Sequence, residues 1–260
     1  MDQTFTKKKS LLKSTTEYCL LFTVYFFLIL FTACSGPVYG KRFDEKIISI
    51  TEIPTKQNCI TEPVILPPLK PLAKPLIIVD PGHGGKDPGT HSLKNPKYQE
   101  KVIALDTAKL VKKSLEQMGY AVMLTRTNDV FIELGDRAKF ANKRNPKLFV
   151  SIHYNSAQNK DADGIEVFYY KSDEDKKRSE ESKTLGKRVL NRCIECTAAK
   201  SRGVKHGNFA VIRETDMPAI LIEGGFLTNA AERKKIKTQA YLKKLASGIA
   251  QGINDYIKMK

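Results

Sequence analysis

Two histidines and two glutamates stand where a folded chain can gather them. His83 lies in Asp80-Pro81-Gly82-His83-Gly84-Gly85, directly after the apolar run Leu76-Ile77-Ile78-Val79. His153 follows Leu148-Phe149-Val150-Ser151-Ile152, and Glu223 follows Ala219-Ile220-Leu221-Ile222. Each run reads as a short buried strand, and glycines after the first let backbone or ligand approach closely. Glu100 opens an amphipathic pattern with Val102, Ile103, Leu105, Ala108, Leu110 and Val111. Two imidazoles and a carboxylate suit zinc, with a fourth position left for water, and a second carboxylate then serves as general base.

Each residue also admits a structural reading. A strand-end histidine can simply be hydrogen-bonded. Glu100 can answer the positive end of a helix, and Glu223 can be a satisfied carboxylate beneath a turn. The candidates are far apart in sequence, so no compact H-E-x-x-H spacing marks a metal. The residues alone leave both readings open.

Four separated stretches in order carry a resemblance: Asp80 to Gly89, Glu100, Ser151-Ile152-His153-Tyr154-Asn155-Ser156, and Glu223-Gly224-Gly225-Phe226-Leu227-Thr228-Asn229. Together they resemble the zinc-dependent N-acetylmuramoyl-L-alanine amidases of bacterial cell-wall turnover and division, from about Leu76 to the C-terminus. The resemblance implies one Zn2+ held by His83, Glu100 and His153, with Glu223 as the catalytic carboxylate. It implies hydrolysis of the amide between the N-acetylmuramic acid lactyl group and L-alanine of the stem peptide, in peptidoglycan or muropeptides. Wall remodelling, turnover or daughter-cell separation would be the setting. A zinc peptidase cutting within the stem peptide, or an inert wall-binding protein, are the alternatives.

The elements that would position these residues alternate along the chain. Strands are expected at 76–80, 120–125, 148–152, 164–170, 209–213 and 219–223, and helices near 99–117, 132–144, 179–196, 229–237 and 240–257. That alternation predicts an α/β fold. The expected form is a single-domain three-layer sandwich over 76–260, with a mostly parallel sheet of about six strands and helices on both faces. The charged stretch Lys171–Lys200 is expected to be a solvated surface helix.

The region before Leu76 reads as address and tether. Lys7, Lys8, Lys9 and Lys13 precede the uncharged stretch Tyr18–Ala33, which closes on Phe31-Thr32-Ala33-Cys34. A signal peptide of lipoprotein type is therefore expected over 1–34, with Cys34 as lipid anchor to a bacterial membrane. Phe31 stands where leucine is usual, so an ordinary signal or an uncut anchor is the alternative. Residues 35–75 hold seven prolines and read as an extended linker. An exported, periplasmic or cell-envelope location follows.

With 44 Lys and Arg against 28 Asp and Glu, the formal net charge is +16. No nucleic-acid motif accompanies it, so anionic wall polymers and phospholipid are the expected attraction rather than nucleic acid. A monomer is expected. Cys193 and Cys196 form C-x-x-C late in a helical pattern, where an ordinary half-buried pair outweighs a redox or zinc role, with a disulfide formed after export as the second reading. His91 reads as a solvent-facing loop residue with a rim contact as the alternative, and His206 as either a loop histidine or a contact to glycan or peptide. Asp80 reads as a brace for its strand end or for a ligand imidazole. The glycine run is no phosphate loop, because Asp80 stands where glycine is required and Asp87 where Ser or Thr is.

Overall fold

The computed structural model describes residues 74–90 and 99–260. The expected signal peptide, Cys34, most of the 35–75 linker and His91 lie outside the described residues. Six strands form one sheet: β1 (Leu76–Pro81), β2 (Ala121–Leu124), β3 (Leu148–Asn155), β4 (Ile165–Tyr169), β5 (Ser201–His206) and β6 (Ala219–Phe226). Their order is β2-β1-β3-β6-β4-β5. All neighbouring pairs are parallel except β4 with β6. The helices are α1 (Glu100–Gln117), α2 (Leu134–Asn142), α3 (Lys176–Thr197), α4 (Ala210–Arg213), α5 (Ala230–Ile236) and α6 (Gln239–Lys258). The expected three-layer α/β architecture is present.

Alternation along the strands builds two cores. Ile77 and Val79 of β1, Leu148, Val150 and Ile152 of β3, and Ile220 and Ile222 of β6 pack beneath α1, α3 and α6. Ile78, Phe149, Ala219 and Leu221 face the other way, against Ala141 of α2 and Val211 and Ile212 of α4. Because side chains alternate along a strand, Asp80, His153 and Glu223 lie on the α2/α4 face. The larger core explains the long helices. α6 buries Leu242, Leu245, Ala246, Ile249 and Ile253, an apolar stripe at helical spacing.

Three expectations need correction. Residues 209–213 are not a strand; Val211 and Ile212 are buried on one turn of α4, since two adjacent apolar residues fit either element. The missing strand is β5, Ser201–His206, a polar edge strand with no buried residue and hence no apolar alternation to reveal it. Lys171–Lys200 is not simply solvated, because α3 within it buries Leu185, Val189, Leu190 and Cys193 in the larger core. Cys193 and Cys196 are free thiols, the first buried. Among the described residues, no helix is long and apolar enough to cross a membrane.

Candidate metal centre

β1 delivers His83 through a turn in which His83, Gly84 and Gly85 all take positive φ. Non-glycine residues rarely adopt that conformation, and here the surroundings enforce it. Gly84 and Asp87 exchange backbone hydrogen bonds at 3.0 and 3.1 Å, which folds Asp87 back onto the imidazole. Asp87 Oδ2 then lies 2.7 Å from His83 Nδ1. Two buried arginines hold the turn from behind. Arg137 donates to the carbonyls of Pro81 and His83 at 2.7 and 2.6 Å, and to Asp80 at 2.9 Å. Arg126 donates to the carbonyls of Pro81, Gly82 and Lys101 at 3.1, 2.6 and 2.8 Å.

Asp80 is fully buried and also accepts from Thr125 Oγ1 at 2.5 Å and Ser151 Oγ at 2.8 Å. It braces the strand ends and makes no hydrogen bond to an imidazole, so of its two expected roles only the first is seen. Orienting His83 falls to Asp87, which sequence reasoning missed. Its position four residues after His83, across a double glycine, is the signal that was available.

Glu100, at the first position of α1, is 3% exposed. Its Oε2 accepts from Thr90 N at 2.8 Å and its Oε1 from Tyr154 N at 2.9 Å. So held, Oε1 points at both histidines: it lies 3.0 Å from His83 Nε2 and 2.9 Å from His153 Nδ1. The two ring nitrogens are 3.1 Å apart. Burial pulls the His83 imidazole down, but Glu100 and Asp87 outweigh it and hold its pKa above the ordinary value. Burial pushes Glu100 up, yet His153 and His83 hold its carboxyl far below the usual range.

The glycines make room for this triangle. A Cβ on Gly82 would strike the His153 ring, and one on Gly89, at φ +64, would meet His83 and Glu100 Oε2 at 2.6 and 2.7 Å.

The donor set fits zinc. Ligand atoms on a tetrahedral zinc at about 2.1 Å stand roughly 3.4 Å apart, a few tenths of an ångström more than the observed 2.9–3.1 Å sides. His83, Glu100 and His153 also form the one group of potential metal donors among the described residues. Glu223 is the register partner of His153 across β3 and β6, so both side chains leave the same face. Its Oε2 is buried with no hydrogen-bond partner. Burial first, then the charges of Glu100 and Glu166, push its carboxyl well above the ordinary value. A buried carboxyl oxygen without a partner, on the sheet face that carries His153, has the character of a proton-exchanging group.

A cavity of about 310 Å³ opens beside His83 and His153, with Phe131, Ile132, Leu134 and Val211 forming an apolar wall. His206 lies apart at the end of β5, where its Nδ1 accepts from Lys171 N at 3.1 Å.

Comparison with known proteins gives a consistent result. The family model described as N-acetylmuramoyl-L-alanine amidase matches residues 77–255. The probable cell wall amidase LytH of Staphylococcus epidermidis is 34% identical over 72% of this chain and 60% of its own length. The crystal structure of an N-acetylmuramoyl-L-alanine amidase from Clostridium difficile 630 superposes with a TM-score of 0.67 at 39% identity, covering 72% of this chain and 98% of that one. The CwlD amidase of Clostridioides difficile, solved in complex with the GerS lipoprotein, gives 0.66 at 29%, covering 72% and 100%. The chain spans between 36% and 61% of the length of several curated relatives it matches.

Proposed function

This chain belongs to the N-acetylmuramoyl-L-alanine amidase family, a zinc-dependent family, and on that premise we propose that it hydrolyses the amide between the N-acetylmuramic acid lactyl group and L-alanine of the stem peptide. The observation that carries this is the meeting of His83 Nε2, Glu100 Oε1 and His153 Nδ1 on the sheet face that also bears the unpartnered Glu223 carboxylate.

In this reading His83, Glu100 and His153 hold one zinc ion. Bound zinc supplies a Lewis acid and a water whose pKa falls to about 7. The chain's own residues do the rest. Asp87 fixes the His83 ring so that Nε2 is the nitrogen offered. Glu223 Oε2 takes the proton of the attacking water and returns it to the departing alanine nitrogen. Ionised beside the cation the carboxylate is a base for that water, and once protonated it is an acid for the departing amine. Phe131, Ile132 and Leu134 give the cleft beside His83 and His153 an apolar side.

An extracytoplasmic enzyme acting on the cell wall is consistent with the cell-wall amidases among its relatives. We extend this to an N-terminal signal over 1–34 and a lipid anchor at Cys34, with residues 35–75 as the linker. Incorporation of labelled palmitate that persists in Cys34→Ala would refute the anchor.

The bond specificity is tested by digesting defined muropeptides and weighing the products. Free stem peptide beginning at L-alanine, together with peptide-free glycan, is expected. Fragments cut inside the stem would instead identify a peptidase.

A further inference from the structure

Glu166 of β4 stands opposite Glu223 in the antiparallel β4–β6 pairing. It is a carboxylate 5% exposed, and three side chains serve it. Asn155 Nδ2 and Lys205 Nζ donate at 2.5 Å each, and Arg202 Nε at 3.2 Å. One cation balances a buried carboxylate. Two are present, so the cluster carries an excess positive charge, on the side of Glu223 away from the zinc ligands.

Neither cation is neutralised elsewhere. Among the described residues Arg202 and Lys205 form ion pairs with Glu166 alone, while the nearby Asp163 carboxylate pairs with Lys200 at 3.0 Å. Arg202 is also fixed by the Asp163 carbonyl at 3.3 Å and by the Phe226 ring, whose centroid lies 4.8 Å from its guanidinium carbon. Both side chains stay open to solvent, 30% for Arg202 and 43% for Lys205. An oriented guanidinium and an ammonium with spare donors form a receptor for a carboxylate.

We propose that Arg202 and Lys205 bind a carboxylate of the stem peptide, within two residues of the scissile amide, and so select substrates in which that group is free. The inference rests on the amidase reading and specifies the leaving side of the same site. Its spacing is suitable: neighbouring strands lie about 4.8 Å apart, and an extended peptide advances about 3.5 Å per residue. A peptide whose alanine nitrogen sits at Glu223 and which runs across the strands away from the zinc ligands carries its next residue over β4. The second residue of the stem, a glutamyl unit, bears its α-carboxylate at that distance, either free or amidated.

The test compares two soluble muramoyl peptides, identical except that the α-carboxyl of the second residue is free or amidated, using the full zinc-loaded chain. The free form is expected to show a kcat/KM roughly tenfold higher, the effect of one charge-assisted hydrogen bond. Lys205→Met and Arg202→Gln are expected to reduce the free form, through KM, towards the level of the amidated one, and Lys205→Arg to restore the difference. Equal hydrolysis of both peptides by the wild type overturns the subsite and leaves the amidase reading standing. So does a variant that lowers both peptides by the same factor, since a merely structural role predicts that. Cleavage of neither peptide overturns the amidase reading and the subsite with it.

Discussion

Asp87 Oδ2 and His83 Nδ1 lie 2.7 Å apart, and this bond leaves Nε2 as the His83 nitrogen that meets Glu100 and His153. Asp87 is a partly exposed carboxylate whose other oxygen accepts from Gly89 N at 3.0 Å, so its removal loosens only this turn. Asp87→Ala should weaken zinc binding by about 10–100-fold, the usual cost of losing the outer partner of a ligand histidine. Competition with a chromophoric chelator measures this, and an unchanged affinity would show that His83 needs no such support.

Gly82 lies against the face of the His153 ring. Gly82→Ala places a methyl group in that ring, and the imidazole must leave its position. Stability should fall by about 1–3 kcal/mol, as for other overpacked sites, while zinc binding is lost. Zinc titration alongside urea unfolding separates the two effects.

Arg137 and Asp80 form an ion pair at 2.9 Å, with side chains 2% and 0% exposed. Breaking a buried pair by deleting one partner leaves an uncompensated charge, so Arg137→Ala should destabilise by about 3–5 kcal/mol. Arg137→Lys should recover only part, because one ammonium cannot span Asp80 and the carbonyls of Pro81 and His83. Denaturant midpoints test both variants.

These residues show what the sequence discloses and what it does not. His83, His153 and Glu223 were legible because each ends an apolar run, and strand ends are where sheets present functional groups. The structure refines this, since β3 and β6 continue to Asn155 and Phe226 and carry His153 and Glu223 inside the strands. Asp87, Arg126 and Arg137 were not legible as supports. They act on a turn through its backbone carbonyls and one imidazole nitrogen, contacts that no hydrophobic pattern records. Glu166 was hidden for a related reason. Its importance depends on β4 lying antiparallel to β6 and on β5, a polar edge strand that residue spacing cannot announce.

Acidity gives a further test, in protein stripped of metal. Glu223 ionises near its ordinary 4.5 when unfolded, but burial and the charges of Glu100 and Glu166 hold its folded pKa well above this. The folded state therefore keeps a proton that the unfolded state releases, and Glu223 erodes stability as pH rises above about 4.5. Glu223→Gln removes that dependence. The metal-free variant should gain on the metal-free wild type at pH 8 relative to pH 4, as read from thermal unfolding at the two pH values. An equal difference at both would mean that the carboxyl titrates normally.

The central claim is that one zinc ion is held by a histidine, a glutamate and a second histidine brought together by β1, α1 and β3. Metal content of the purified protein, determined by plasma mass spectrometry, tests it most directly. About one zinc per chain is predicted in the wild type, falling to background in His153→Ala. A wild type without zinc, or a His153→Ala variant that keeps it, would contradict the account.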